Sequence, residues 1–252
     1  MCLILVAWQQ HPEYPLIVAA NRDEFFARPT AVAAQWPDLP HVYGGRDLEA
    51  GGTWLGISDS GRFAAVTNVR EPGQPPGERS RGHLTRDFLA GDMTAADYAN
   101  RLQGERYAGF NLLAGDGTTL SYASNRGATA RVLAPGIYGV SNHLLDTPWP
   151  KLTASKQRFA AALAALPDES GFFALLADTE IVPDEHLPAT GVPLPWERLL
   201  SAVFVRSPQY GTRASTLLLL PARGAATLIE RSFSAAGEIG ETRLKVSPVG
   251  CR

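Results

Sequence analysis

Two short apolar runs open the chain, Leu3-Ile4-Leu5-Val6-Ala7-Trp8 and Leu16-Ile17-Val18-Ala19-Ala20, separated by a polar stretch at 9–15. Runs of this length bounded by turn-forming residues predict the two strands of an antiparallel hairpin. Pairing across 9–15 brings Trp8 near Pro15, so partner numbers sum to roughly 23 on strands ~4.8 Å apart. Cys2 then falls opposite Asn21, within a residue or two, beside Arg22 and Asp23. Residues 25–47 are rich in Pro, Ala and aromatic side chains without a clear period, which predicts a long ordered connection. A second hairpin is expected from 51–57 and 62–68, joined at Asp59-Ser60-Gly61.

Proline and glycine then dominate 70–82, a loop placed directly after Asn68 and therefore a candidate lid. Helical spacing returns at 84–90 and 95–102, the latter with Thr94 as N-cap. Three strand-like pieces follow at 110–114, 119–123 and 137–140, with Asp116-Gly117 as a turn. The third ends at Ser141-Asn142-His143. The clearest helix is 151–166, with Leu152, Phe159, Leu163 and Leu166 on one side and Pro167 as its stop. Shorter helices are expected at 171–177 and 196–203. From Arg213 onward the pattern is again that of strands, at 214–220, 225–233 and 241–246. Strands at both ends with helices between predict an α+β fold, with no internal repeat and no linker dividing residues 1–252.

Composition narrows the function classes. The 252 residues are 45% hydrophobic and 19% charged, with a net charge of −2, and the basic residues are dispersed. The densest basic group, Arg79, Arg81 and Arg86, is too short for a polybasic patch, so neither nucleic acid nor an anionic membrane is an expected partner. The first apolar run is too short for a transmembrane span and lacks the basic flank of a signal peptide. Two cysteines, Cys2 and Cys251, allow one disulfide but do not make a disulfide scaffold. The expected setting is a reducing, cytoplasmic one. Five scattered histidines show no metal-ligand spacing with cysteine or carboxylate, so no metal site is expected. Gly51-Gly52 lacks the frame of a phosphate-binding loop.

Acyl transfer needs a nucleophile, a base and donors to an oxyanion. A cysteine exposed at the amino terminus by removal of Met1 supplies the thiol and, in its α-amine, a base with an ordinary pKa of ~7.7–8.0. Arg22 beside it favours thiolate, and Asp23 can orient the amine. Asn68 and Asn142, each at a predicted strand end, are neutral directional donors, although turn positions after strands also select asparagine. Arg213 opens a strand, where an edge position accounts for it equally well.

Met1-Cys2, Asn21-Arg22-Asp23-Glu24, Gly51-Gly52-Thr53-Trp54-Leu55-Gly56 and Thr67-Asn68-Val69-Arg70 together resemble the NRDE family, the transport and Golgi organisation 2-like proteins. Ser80-Arg81-Gly82, Gly139-Val140-Ser141-Asn142 and 210–216 extend the resemblance over nearly the whole chain. That family in turn resembles the cysteine N-terminal nucleophile (Ntn) hydrolases, such as penicillin V acylase and bile salt hydrolase. The resemblance implies a four-layer αββα sandwich with Cys2 as nucleophile, Arg22 and Asp23 flanking it, Asn68 in the oxyanion hole, and Asn142 and Arg213 as later polar residues of the site. The adjacency of Arg22 and Asp23 departs from those acylases, where the two are further apart.

Two functions follow. One is hydrolysis of a non-peptide amide or thioester through an acyl-Cys2 intermediate, requiring no cofactor and taking a small apolar or acyl substrate. The other, also implied by the resemblance, is haem or lipid/acyl-CoA binding and trafficking on the same scaffold, with Cys2 or His143 as haem ligand. Oligomeric state is unreadable from the sequence.

Overall fold

The opening hairpin forms one residue from its expected register. In the computed structural model, which describes residues 2–247, β1 (Cys2–Trp8) pairs with β2 (Leu16–Phe25) so that Cys2 faces Arg22 and Trp8 faces Leu16. The Gln9 N–H donates to the Pro15 carbonyl at 2.7 Å and closes the connection. Met1, whose removal was considered above, and Cys251, with the Cys2–Cys251 disulfide, lie outside the described residues.

The expected connection at 25–47 is instead two further strands, β3 (Thr30–Gln35) and β4 (Val42–Asp47). The second hairpin is β5 (Leu55–Ser58) with β6 (Phe63–Asn68). After the 70–82 loop come α1 (Gly82–Ala90) and α2 (Ala95–Asn100), where Thr94 accepts from the Asp97 N–H as the predicted N-cap. Four strands follow: β7 (Phe110–Gly115), β8 (Leu120–Ser124), β9 (Arg131–Val132) and β10 (Gly136–Val140). The helices α3 (Pro150–Ala164), α4 (Ser170–Leu176) and α5 (Leu194–Leu199) lead to β11 (Tyr210–Leu220), β12 (Ala226–Ser234) and β13 (Gly237–Val246).

These strands make two antiparallel sheets, one ordered β10-β1-β2-β11-β12-β13 and the other β3-β4-β5-β6-β7-β8-β9. Alternation along β1 explains how they stack. Ile4, Val6 and Trp8 point one way and join Ile57, Phe63, Ala65 and Leu113 of the second sheet in a shared core. Leu3, Leu5 and Ala7 point the other way, onto Leu152 and Phe159 of α3 and Phe172 and Leu176 of α4. The outer face of the second sheet, through Ala64 and Ala114, carries Phe88 and Leu89 of α1. The result is four layers, helices on both outer faces of two antiparallel sheets. A strand buried on both faces reads as a continuous apolar run rather than an alternating one. Full burial of each Leu, Ile or Val of β1 contributes about 1.5–3 kcal/mol, which anchors Cys2 to a rigid central strand.

Candidate active site

The Asn21-Arg22-Asp23-Glu24 run lies in β2, and strand alternation sends its side chains to opposite faces. Asn21 turns toward the helices, where its Nδ2 donates to the Leu176 and Val203 carbonyls at 2.8 and 2.9 Å and its Oδ1 accepts from Ser215 at 2.7 Å. Asp23 lies two residues further along and accepts from the Thr212 hydroxyl at 2.6 Å. Arg22 points between the sheets, its guanidinium 4.4 Å above the Trp54 ring, with Nη1 donating to Thr30 Oγ1 at 3.3 Å and Nη2 3.8 Å from Glu24. The adjacent pair thus serves two sides of one sheet.

Cys2 opens β1 on the Arg22 side and is half-buried. It lines a cavity of about 390 Å³ together with Arg22, Asp23, Trp54, Asn68 and Arg81. Part of the expected lid, Pro76 to Gly82, forms one wall. Burial pushes the Cys2 thiol above its ordinary pKa and Asp23 adds to this, while Arg22 acts against it. The Asp23 carboxyl is also raised, chiefly by burial, against the opposing pull of Lys151 and Thr212. Neither group is therefore in its most readily ionised condition.

Of the residues singled out from sequence, Cys2, Arg22, Asp23 and Asn68 meet at this cavity. The Asn68 side-chain amide makes no hydrogen bond to another described residue, and Asn68 lines the cavity. Asn142 is fully buried behind the cavity rather than lining it. Its Nδ2 donates to the Asn68 carbonyl at 3.1 Å, and its own carbonyl accepts from the Arg70 N–H at 2.8 Å. It joins the end of β10 to the end of β6 and so fixes where Asn68 sits.

Arg213 is turned away by a bulge. The partners of β2 step from Thr212, opposite Asp23, to Ala214, opposite Arg22, which leaves Arg213 as the extra residue. Its Nη1 donates to the carbonyls of Phe25, Phe26 and Arg28 at 2.9, 3.2 and 3.1 Å. The same bulge shifts the alternation of β11, so that Thr212 shares the face of Asp23. His143 does not line the cavity; its Nδ1 lies 2.8 Å from Thr147 Oγ1 at the surface.

Three contributors escaped the sequence reading. Ser141 donates to the Cys2 carbonyl at 3.0 Å, tying the Cys2 backbone to the end of β10. Tyr210 donates to the Asp23 carbonyl at 3.1 Å. Lys151, on α3, donates from Nζ to the Leu200 carbonyl at 2.7 Å, and burial lowers its pKa to about 8 while nearby Asp23 opposes the fall. Helical spacing held the signal for Lys151, because it shares the buried side of α3 with Ser155, Phe159 and Ala162.

The family model for transport and Golgi organisation 2 matches residues 1–235. The chain belongs to the transport and Golgi organisation 2 family. Among relatives of that name, the Bos taurus homolog is 42% identical over 257 residues, covering 92% of this chain and 93% of its own. The Homo sapiens homolog is 40% identical with the same coverage, and the Drosophila melanogaster protein is 31% identical, covering 96% and 95%. Solved structures place this transport and Golgi organisation 2 member in the Ntn-hydrolase fold. A Caenorhabditis elegans N-acylethanolamine-hydrolyzing acid amidase ortholog superposes with a TM-score of 0.54 at 15% identity, covering 86% of this chain and 92% of its own. A mutant of the Clostridium perfringens conjugated bile acid hydrolase gives 0.53 at 9% identity, covering 97% and 92%. At such identities the likeness is one of fold. Among the described residues, no helix is long and apolar enough to cross a membrane.

Proposed function

We propose that this protein is an Ntn-type hydrolase that cleaves a non-peptide amide or a thioester through an acyl-Cys2 intermediate. The observation that carries the reading is the convergence of Cys2, Arg22, Asp23 and Asn68 on one cavity at the head of a buried central strand. The fold neighbours named for hydrolysing N-acylethanolamines and conjugated bile acids support the same class.

In this reading Met1 is removed and the Cys2 α-amine takes the thiol proton as sulfur attacks the carbonyl carbon. Burial keeps the thiol protonated near neutral pH, so the reaction needs that base. The oxyanion accepts from the Asn68 amide, and such a donor is worth about 3–4 kcal/mol of barrier where measured. The α-ammonium returns the proton to the leaving nitrogen or sulfur as its bond to carbon breaks. Water, deprotonated by the same amine, then attacks the Cys2 thioester, releasing the acid and restoring the thiol. Asp23, held by Thr212 and facing Lys151, orients the ammonium.

Intact-mass analysis of the purified protein should find Cys2 at the amino terminus. An acyl β-lactone should then add to Cys2, with a rate that rises with pH and levels off near the amine pKa of ~7.7–8.0. Cys2→Ala should lower labelling by at least about a hundredfold. Retained Met1 in reactive protein, or labelling indifferent to Cys2→Ala, would sink the reading. A Cys2 that resists acylation while an apolar acyl ligand raises the melting temperature would support the binding and trafficking role instead.

A further inference from the structure

Four arginines line the cavity beside Cys2, and three of them are matched by carboxylates. Arg28 lies 2.8 Å from Asp47 and 2.9 Å from Glu49, Arg79 lies 2.8 Å from Asp87, and Arg22 lies 3.8 Å from Glu24. Arg81 has no carboxylate partner among the described residues. Its Nη1 donates to the Gly109 carbonyl at 3.2 Å, which uses one of the five N–H donors of a guanidinium. Burial acts against its charge, and the largest influence opposing burial is Cys2 itself, followed by Glu24. A partly buried cation with most donors unspent is costly unless an anion meets it.

The mount of Arg81 is rigid. It immediately precedes α1, and the Thr53 N–H donates to the Gly82 carbonyl at 3.2 Å. Gly52 and Gly82 approach so closely that a Cβ on Gly52 would lie 2.4 Å from the Gly82 carbonyl carbon. At the other end of the wall, a Cβ on Gly77 would lie 2.4 Å from the Ala108 nitrogen. The segments Gly51-Gly52-Thr53-Trp54 and Ser80-Arg81-Gly82 thus pack against each other at the cavity wall.

We propose that Arg81 is an anion-binding element of this cavity, so that the molecule presented to Cys2 carries an anionic oxygen group, carboxylate or phosphate, beside its reactive carbonyl. The inference rests on the acyl-transfer reading and adds the substrate's charge to it. The geometry that carries it is one unmatched guanidinium, fixed by glycine contacts, in the same cavity as the thiol.

The test uses matched β-lactones bearing a terminal carboxylate, a phosphonate, or the uncharged methyl ester, with Cys2 acylation followed by mass. The better anionic probe should react about tenfold faster than the ester, the scale of one charge-assisted hydrogen bond. The preferred anion reports whether carboxylate or phosphate chemistry suits the site. Arg81→Gln should bring the anionic-to-neutral ratio close to one, and Arg81→Lys should keep part of it as a point charge without the planar fork. Using the ratio cancels any general loss of reactivity. A ratio near one in the wild type, or the same ratio in Arg81→Gln, would overturn the inference. A non-reactive amide carrying the preferred anion separates this inference from the acyl-transfer reading. Should no lactone acylate Cys2, an amide-induced rise in melting temperature that Arg81→Gln abolishes still sustains anion binding, and no rise overturns it.

Discussion

Replacing Arg70 by alanine is expected to destabilise the fold by about 3–5 kcal/mol, the usual result of removing one partner of a buried ion pair. Arg70 lies two residues beyond the end of β6 and reaches across to Glu197 of α5 at 2.5 Å, with both side chains almost fully buried. Glu197 also accepts from the Thr190 N–H at 2.8 Å and from the Thr190 hydroxyl. Arg70 stacks 4.9 Å from the Trp149 ring centre. Its Nε and Nη2 have no hydrogen-bond partner among the described residues, so the pair already carries an unreturned desolvation cost. Alanine at 70 would leave the Glu197 carboxylate buried without its cation. The double replacement Arg70→Met with Glu197→Leu removes both charges at similar volume and should recover most of the loss, to within about 1 kcal/mol of wild type. Urea denaturation of the three proteins measures this. An Arg70→Ala protein as stable as wild type would show that the pair is not buried in solution. The consequence reaches the candidate site, because the Arg70 N–H holds the Asn142 carbonyl and α5 leads into Leu200, whose carbonyl holds Lys151.

How far the fold could be read in advance depended on where each strand sits. The β1–β2 hairpin was legible because both strands are buried on both faces, and the short connection at 9–15 limited the register to within one residue. The missed strands β3 and β4 lie at or next to a sheet edge. Their sequences, Thr30-Ala31-Val32-Ala33-Ala34-Gln35 and Val42-Tyr43-Gly44-Gly45-Arg46-Asp47, are small and polar, with little apolar contrast to reveal a period. Gly45 is required by packing, since a Cβ there would lie 2.2 Å from the Trp54 ring. No local pattern announces such a contact. The start of β13 was placed late, at 241, because an exposed edge strand beginning Gly237-Glu238-Ile239-Gly240 has no buried face to reveal it. Within the cavity, Cys2, Arg22 and Asp23 could be brought together by register alone, and Asn68 by its place at a strand end. The position of Arg213 depends on a bulge, a two-against-one count that exists only relative to a partner strand. Arg81 stood out as a basic residue in a loop, but its lack of a carboxylate partner is a property of the assembled cavity.

Replacing Glu230 by glutamine is expected to stabilise the protein above neutral pH, by up to about 3 kcal/mol at pH 8. Glu230 lies on β12 between the two sheets, 2% exposed. Its Oε1 accepts from the Ala33 N–H at 2.7 Å and its Oε2 from the Thr216 hydroxyl at 3.3 Å. Burial raises its pKa from 4.5 to about 7, although both hydrogen bonds and Arg22 favour the carboxylate. The folded chain thus holds this proton up to about pH 7, whereas the unfolded chain releases it near 4.5. Between those values the native state binds more protons than the unfolded state, so stability falls as pH rises through the window. The contribution is fully present below pH 4.5 and gone above about 7. Glutamine keeps the acceptor for Ala33 and fills the same space without a charge to desolvate. Urea midpoints at pH 4, 6 and 8 should therefore nearly coincide for the two proteins at pH 4 and separate progressively toward pH 8. A constant difference at all three values would show that the carboxyl titrates as an ordinary one. The acid lies on the Arg22 side of the sheet, where the Arg22 charge favours its ionised form. The native carboxyl ionises only near pH 7, at the upper end of the window over which stability falls, and there it becomes a buried negative charge that the Arg22 guanidinium favours.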